Sequence, residues 1–240
     1  MVAVQKGSET ILKCLLKVYS DIIYEESKSK TLPWNGLHLK SVEDIFDELF
    51  KEISKRTEKV DLSKNQLNEC PKFWSKKARF EWHKLRKLDL SGNKLNSINK
   101  ELFRMELLET LLLENNQLKE IPDVEVSISL KCLNLNDNQL RTLPKSFKES
   151  MISSLYIAKN EFDYVPECVC YMRRLKYLQL NGNNRIVEFP LEMGNMDIST
   201  TIEYKGINVS VNLKILEVFK NPVKFISRIF ILALITFIFV

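Results

Sequence analysis

Glycine and proline are scarce in this chain, at 6 and 7 of 240 residues. That excludes a collagen-like sequence and a chain dominated by flexible linkers. Histidine occurs only as His38 and His83. No motif places a nucleophile or carboxylate beside either, so a structural role is expected for both. No excess of one charge exists: 36 Lys and Arg stand against 31 Asp and Glu, a formal net charge of +5. That balance does not point to nucleic acid as a partner. The five cysteines, Cys14, Cys70, Cys132, Cys168 and Cys170, are odd in number and follow no disulfide spacing. Reduced thiols in a cytoplasmic protein are expected. Cys168 and Cys170 are too close together for a zinc pair, whose ligands usually have about two to four residues between them, and no second pair exists. No signal peptide is expected, because the first apolar stretch, Ile11 to Val18, is broken by Lys13 and Lys17. No glycine-rich phosphate loop, dinucleotide fingerprint, kinase element or nucleophile elbow occurs. The expectation is a chain that is not an enzyme and holds no cofactor and no metal.

What is present is a repeat. Four segments align without gaps: LRKLDLSGNKLNSI from Leu85, LETLLLENNQLKEI from Leu108, LKCLNLNDNQLRTL from Leu130 and ISSLYIAKNEFDYV from Ile152. Their asparagines Asn93, Asn116, Asn138 and Asn160 lie 23, 22 and 22 residues apart. Two weaker copies flank them, centred on Asn65 and on Asn184, the latter with one extra residue after Leu180. Pro71, Pro122, Pro144, Pro166 and Pro190 each follow their asparagine by six residues.

The spacing has physical consequences. Alternation at Leu133 and Leu135 predicts a short strand with one buried face. Successive repeats then lay their strands side by side in a parallel sheet. No repeat can bury its leucines alone, so the core is continuous only when repeats stack. The asparagine supplies both a donor and an acceptor where the chain turns, which predicts a ladder of Asn65, Asn93, Asn116, Asn138, Asn160 and Asn184. Each proline fixes φ where the chain starts its return path. Trp74, Phe147, Val169 and Met193, three residues beyond a proline, are expected to close the core from behind.

This LxxLxLxxNxLxxLP pattern resembles the leucine-rich-repeat family over roughly residues 57 to 196. The resemblance implies an α/β leucine-rich-repeat solenoid, a curved horseshoe with short parallel strands on its concave face. More narrowly, LPWNGLHLKSVEDIFDELFKEISKRTEKVDLSKNQL and LQLNGNNRIVEFPLEMGNM are similar to the repeat region of the Roco-family leucine-rich-repeat kinases. In that family a GTPase domain and a kinase domain follow the repeats. Neither signature occurs here.

The chain divides into a helical amino-terminal region and cap (1–56), about six repeats of which the last is degenerate (57–212), and a carboxy-terminal helix with a hydrophobic tail (213–240). Amphipathic helices are expected over 8–27 and from Ser41 to about Lys55. Between them, SKSKTLP reads as a polar linker and WNGLHLK as a short strand, with alternation at Leu37 and Leu39. The longer interval from Asn65 to Asn93 holds Phe73, Trp74, Phe80 and Trp82, which are expected to plug a convex bulge. After Met196, TTIEYKGINVSV reads as one last strand. In the tail, Ile229 to Val240 contains Thr236 as its one polar residue. A bilayer span takes about 20 residues. Counting from Val223 gives 18, including Lys224 and Arg228. Three readings stay open: a short membrane anchor through 223–240, a truncated or mis-spliced end, and packing against the last repeat.

Binding is expected on the open face of the sheet. Leu112, Cys132, Tyr156 and Tyr177 need not be apolar there if that face meets only water, and they predict a diagonal contact patch. Asn134 and Gln179 accompany them. Lys87 and Asp89 represent a charged rim. The expected function is a protein-interaction or scaffold module in cytoplasmic signal transduction, with a small GTPase or a kinase-pathway component as a candidate partner. The alternative is a fragment of a Roco-type kinase whose enzymatic domains lie outside this chain.

Overall fold

Among the described residues each strand is three or four residues long, because the chain turns as soon as two apolar side chains have entered the core. The computed structural model describes residues 30–42, 54–71, 82–186, 189–197, 199–204 and 207–210. Its strands are β1 (Thr31–Pro33), β2 (Lys59–Asp61), β3 (Lys87–Asp89), β4 (Thr110–Leu112), β5 (Cys132–Asn134), β6 (Ser154–Tyr156), β7 (Tyr177–Gln179), β8 (Thr201–Tyr204) and β9 (Ile207–Ser210). They form one sheet in chain order. The first eight run parallel, with Leu88, Leu111, Leu133, Leu155 and Leu178 side by side in register. β9 turns back antiparallel on β8. The result is a curved solenoid with the strands on its concave face.

The central residue of each strand from β1 to β8 is buried, as is the residue two further on from β1 to β7, from Trp34 and Leu62 to Leu180. Leu67, Leu95, Leu118, Leu140 and Phe162 follow from the other side of the turn, and the whole set forms one core running the length of the solenoid. The turn itself is left-handed. Gly36, Lys64, Gly92, Asn115, Asp137, Lys159 and Gly182 all have φ between 51° and 75°. Six of them immediately precede a ladder asparagine.

The ladder joins neighbours. Asn116 Nδ2 donates to Leu113 O within its own repeat and to Leu90 O in the one before, both at 3.0 Å. Its Oδ1 accepts from Leu95 N at 3.1 Å. Asn93, Asn138 and Asn160 repeat this pattern, and Asn65 does the same against Trp34, Leu37 and Leu39. The last position corrects the sequence reading. It is Asn183, not Asn184, that donates to Leu180 O and Ile157 O at 2.9 Å and accepts from Asn160 N at 3.1 Å. Asn184 is exposed. The ladder amide must reach the carbonyl three residues upstream, so the strand sets its position. The extra residue lies after the asparagine, not before it.

On the convex side, 3₁₀ helices span Lys100–Arg104, Lys145–Glu149, Glu167–Tyr171 and Leu191–Asn195. Pro144, Pro166 and Pro190 precede the last three with φ of −60°, −57° and −68°. Phe147, Val169 and Met193 are buried from these helices.

The start of the sheet also differs from expectation. The strand lies at Thr31–Pro33, inside the stretch read as a linker and upstream of residue 57, whereas Leu37 and Leu39 belong to the turn that follows. Their alternation mimics a strand because both N–H groups point at Asn65 Oδ1, each at 3.0 Å. At the other end, the segment read as one strand is the β8–β9 hairpin. The helix expected at 8–27, residues 43–53 of the helix expected from Ser41 to about Lys55, the aromatics Phe73, Trp74 and Phe80, and the tail 213–240 lie outside the described residues. Among the described residues, no helix is long and apolar enough to cross a membrane.

Candidate protein-binding face

Alternation leaves the outer two residues of each strand on the open side of the sheet. Parallel register turns them into rows. One row runs Lys59, Lys87, Thr110, Cys132, Ser154, Tyr177 and Thr201 from β2 to β8; the next runs Asp61, Asp89, Leu112, Asn134, Tyr156, Gln179 and Glu203. The structure therefore sets the predicted site residues on one face. Leu112, Cys132, Asn134, Tyr156, Tyr177 and Gln179 are all half-buried there.

Tyr156 and Tyr177 sit in different rows on adjacent strands, and their rings come together. The centroids are 5.2 Å apart with a tilt of 47°. This is a favourable geometry for an aromatic pair. Burial pushes the Tyr156 hydroxyl above its ordinary value, and the neighbouring Cys132 adds to the shift. Burial also raises the Cys132 thiol, which opposes formation of a reactive thiolate. Cys168 and Cys170 are buried from the convex side, and burial pushes both thiols up to about 12.

A polar network that the sequence reading did not assemble holds the pair in place. Glu203 accepts from the Tyr177 hydroxyl, from Gln179 Nε2 at 3.0 Å and from Asn181 Nδ2. Gln179 Oε1 accepts from Asn136 Nδ2 at 2.7 Å, a bond that reaches from β7 to the turn after β5, over the intervening repeat. Asn134 Nδ2 continues the network to Glu114 Oε2 at 2.9 Å. The Tyr177 hydrogen bond, followed by Gln179 and Asn181, draws the Glu203 carboxyl below its ordinary value against the cost of burial. The same bond is the main cause that raises Tyr177 to about 12. Tyrosine donor and carboxylate acceptor are thus both fixed at neutral pH. The signal that could have found Glu203 was its register, since TIEY places it on the same face as Gln179.

The charged end is built differently. Asp61 Oδ1 and Asp89 Oδ1 accept from the N–H groups of Ser63 and Ser91 at 3.0 Å, closing the strand end. Asn134 does the same for Asn136 N at 3.0 Å. Asp89 is therefore partly committed to its own turn, while Lys59 and Lys87 are exposed. Among the described residues, no three His, Cys, Asp or Glu side chains gather as a metal site.

Known proteins are similar in repeat sequence and in fold. The family model described as Leucine Rich Repeat matches residues 84–105 and 129–150. Leucine-rich repeat serine/threonine-protein kinase 1 of Mus musculus is 25% identical over 250 residues, covering 81% of this chain and 12% of that protein. Probable serine/threonine-protein kinase pats1 of Dictyostelium discoideum is 33% identical over 173 residues, covering 58% of this chain and 5% of that protein. The chain thus spans a small part of the length of these curated relatives. Among solved structures, the leucine-rich repeat domain of the type III effector XopL superposes with a TM-score of 0.60 at 17% identity, covering 78% of this chain and 68% of that one. A Leptospira interrogans LRR protein gives 0.56 at 19% identity, covering 80% and 57%.

Proposed function

We propose that this chain is a protein-interaction module of the leucine-rich-repeat type whose partner docks on the concave face from Leu112 to Tyr177. One observation carries the reading: Tyr156 and Tyr177 form a half-exposed aromatic pair, tethered to Glu203 and the side chains around it. Large aromatic side chains whose freedom is already spent lose little more on binding, and such residues dominate interface energetics. Cys132 on β5 and Leu112 on β4 extend the apolar surface on the β6 side of the pair. The role is binding and not catalysis, and the chain needs no cofactor for it. The setting is cytoplasmic signalling, a reading supported by the thiols of Cys132, Cys168 and Cys170, which are in no disulfide among the described residues, and by the likeness to serine/threonine kinases.

The test uses the full chain with partners identified by crosslinking and mass spectrometry. The double variant Tyr156→Ala, Tyr177→Ala is compared with Tyr164→Ala, an exposed tyrosine beyond the ladder turn. Loss of two anchors should weaken partner recovery by about 30-fold or more. Tyr164→Ala should match the parent. Undiminished recovery by the double variant overturns the reading.

A further inference from the structure

We propose that the Tyr156–Tyr177–Glu203 corner of the concave face receives an arginine side chain from an extended segment of the partner. The inference rests on the binding reading above and specifies its chemistry. Three observations carry it. The first is charge. From β4 to β8 the two concave rows carry one charged side chain, the carboxylate of Glu203, and no lysine or arginine, although the whole chain has a formal charge of +5. The face that offers the aromatics is thus the one with unbalanced negative charge, and a cationic partner group complements it.

The second is the state of Glu203. It receives Tyr177 and Gln179 on Oε2 and Asn181 on Oε1. A carboxylate offers about four acceptor sites, so Oε1 keeps one. The three donors hold the group in one orientation, which removes the ordering cost from a further hydrogen bond. The third is the tilted tyrosine pair itself. A guanidinium can lie flat on a tyrosine ring and still donate sideways to a carboxylate, which an ammonium cannot do with the same geometry. Tyr177 contributes its ring to the surface while its hydroxyl is already bound to Glu203, so ring and carboxylate are placed together.

The probe is a displayed library of random linear peptides selected on the full-length chain. Peptides whose binding is lost in Tyr156→Ala, Tyr177→Ala are expected to share an arginine. Replacing that arginine by citrulline, which keeps the shape and removes the charge, should weaken binding at least about tenfold, and lysine should fall between. These changes leave the protein untouched, so no folding defect can imitate them. Glu203→Gln, checked for an unchanged Tm, should reduce the preference for arginine over citrulline. Tyrosine-dependent binders with no arginine, or with citrulline equal to arginine, overturn the inference and leave the concave-face reading standing. A selection yielding no tyrosine-dependent binder contradicts both.

Discussion

An asparagine in the ladder holds two repeats at once. Asn183 donates to one carbonyl in its own repeat and one in the repeat before, and accepts from Asn160 N–H. Asn183→Ala leaves the buried Asn160 N–H without its acceptor and takes one donor each from Ile157 O and Leu180 O, and should cost about 2 kcal/mol, within the range for an unsatisfied buried polar group. Asn184→Ala, one residue on and exposed, should stay within about 0.5 kcal/mol of the parent. Urea unfolding of the two variants separates them. The left-handed turn gives a second test. At Gly182 φ is +75°, and an added Cβ would stand 2.8 Å from Lys159 Cγ and 3.2 Å from its Cα. Gly182→Ala should destabilise by about 1–2 kcal/mol. Lys64, at φ 54° without a glycine's freedom, should gain up to about 1 kcal/mol as Lys64→Gly. At this scale the sequence was legible wherever strand and proline phases agreed. They disagree at NGNN, where the proline phase selects Asn184 and the strand phase selects Asn183. Hydrogen bonding to the strand decides, because the ladder amide must reach the carbonyl three residues upstream, and for Asn183 that carbonyl is Leu180 O.

The elements repeat this lesson over longer stretches. β1 was hidden because a three-residue strand has almost no pattern of its own. Its signal lies in alignment: Leu32 pairs with Val60, and the Trp34 N–H bonds to Asp61 O at 2.7 Å, as Leu62 N–H bonds to Asp89 O at 2.8 Å. The repeat is masked by Leu37 at the ladder position, where asparagine was the marker. Trp34 is among the largest fully buried side chains. Trp34→Ala should cost about 3–5 kcal/mol. Since each repeat contacts only its neighbours, the loss should be local. Hydrogen exchange is expected to show β1 and β2 deprotected first while β5 to β7 stay protected. Uniform loss along the whole sheet would contradict nearest-neighbour stacking. The convex side is thin for a related reason. Strands lie about 4.8 Å apart, so the narrow 3₁₀ helices limit how far the outer side must spread.

For the whole molecule, the thiols on the convex side make stability depend on alkaline pH. Burial raises Cys168 and Cys170 from 9.0 to about 12. Between those values the unfolded chain has lost the thiol protons and the folded chain retains them. Stability is therefore full below about pH 9 and declines as pH rises towards 12. Urea midpoints under reducing conditions should fall across this window, and less steeply for Cys168→Ala, Cys170→Ala. The concave face was legible in part. Periodicity placed Leu112, Cys132, Tyr156 and Tyr177 on one side of the sheet. It could not foresee that Glu203, beyond the recognisable repeats, would fix Tyr177, because that contact depends on the register of β7 and β8. The same rows supply the most direct test of the binding reading. A photo-crosslinking amino acid is placed at Ser154, between Cys132 and Tyr177 in register, or at Lys148 on the convex side. The account predicts a partner crosslink from position 154 and none from position 148; a crosslink from 148 with none from 154 would contradict it.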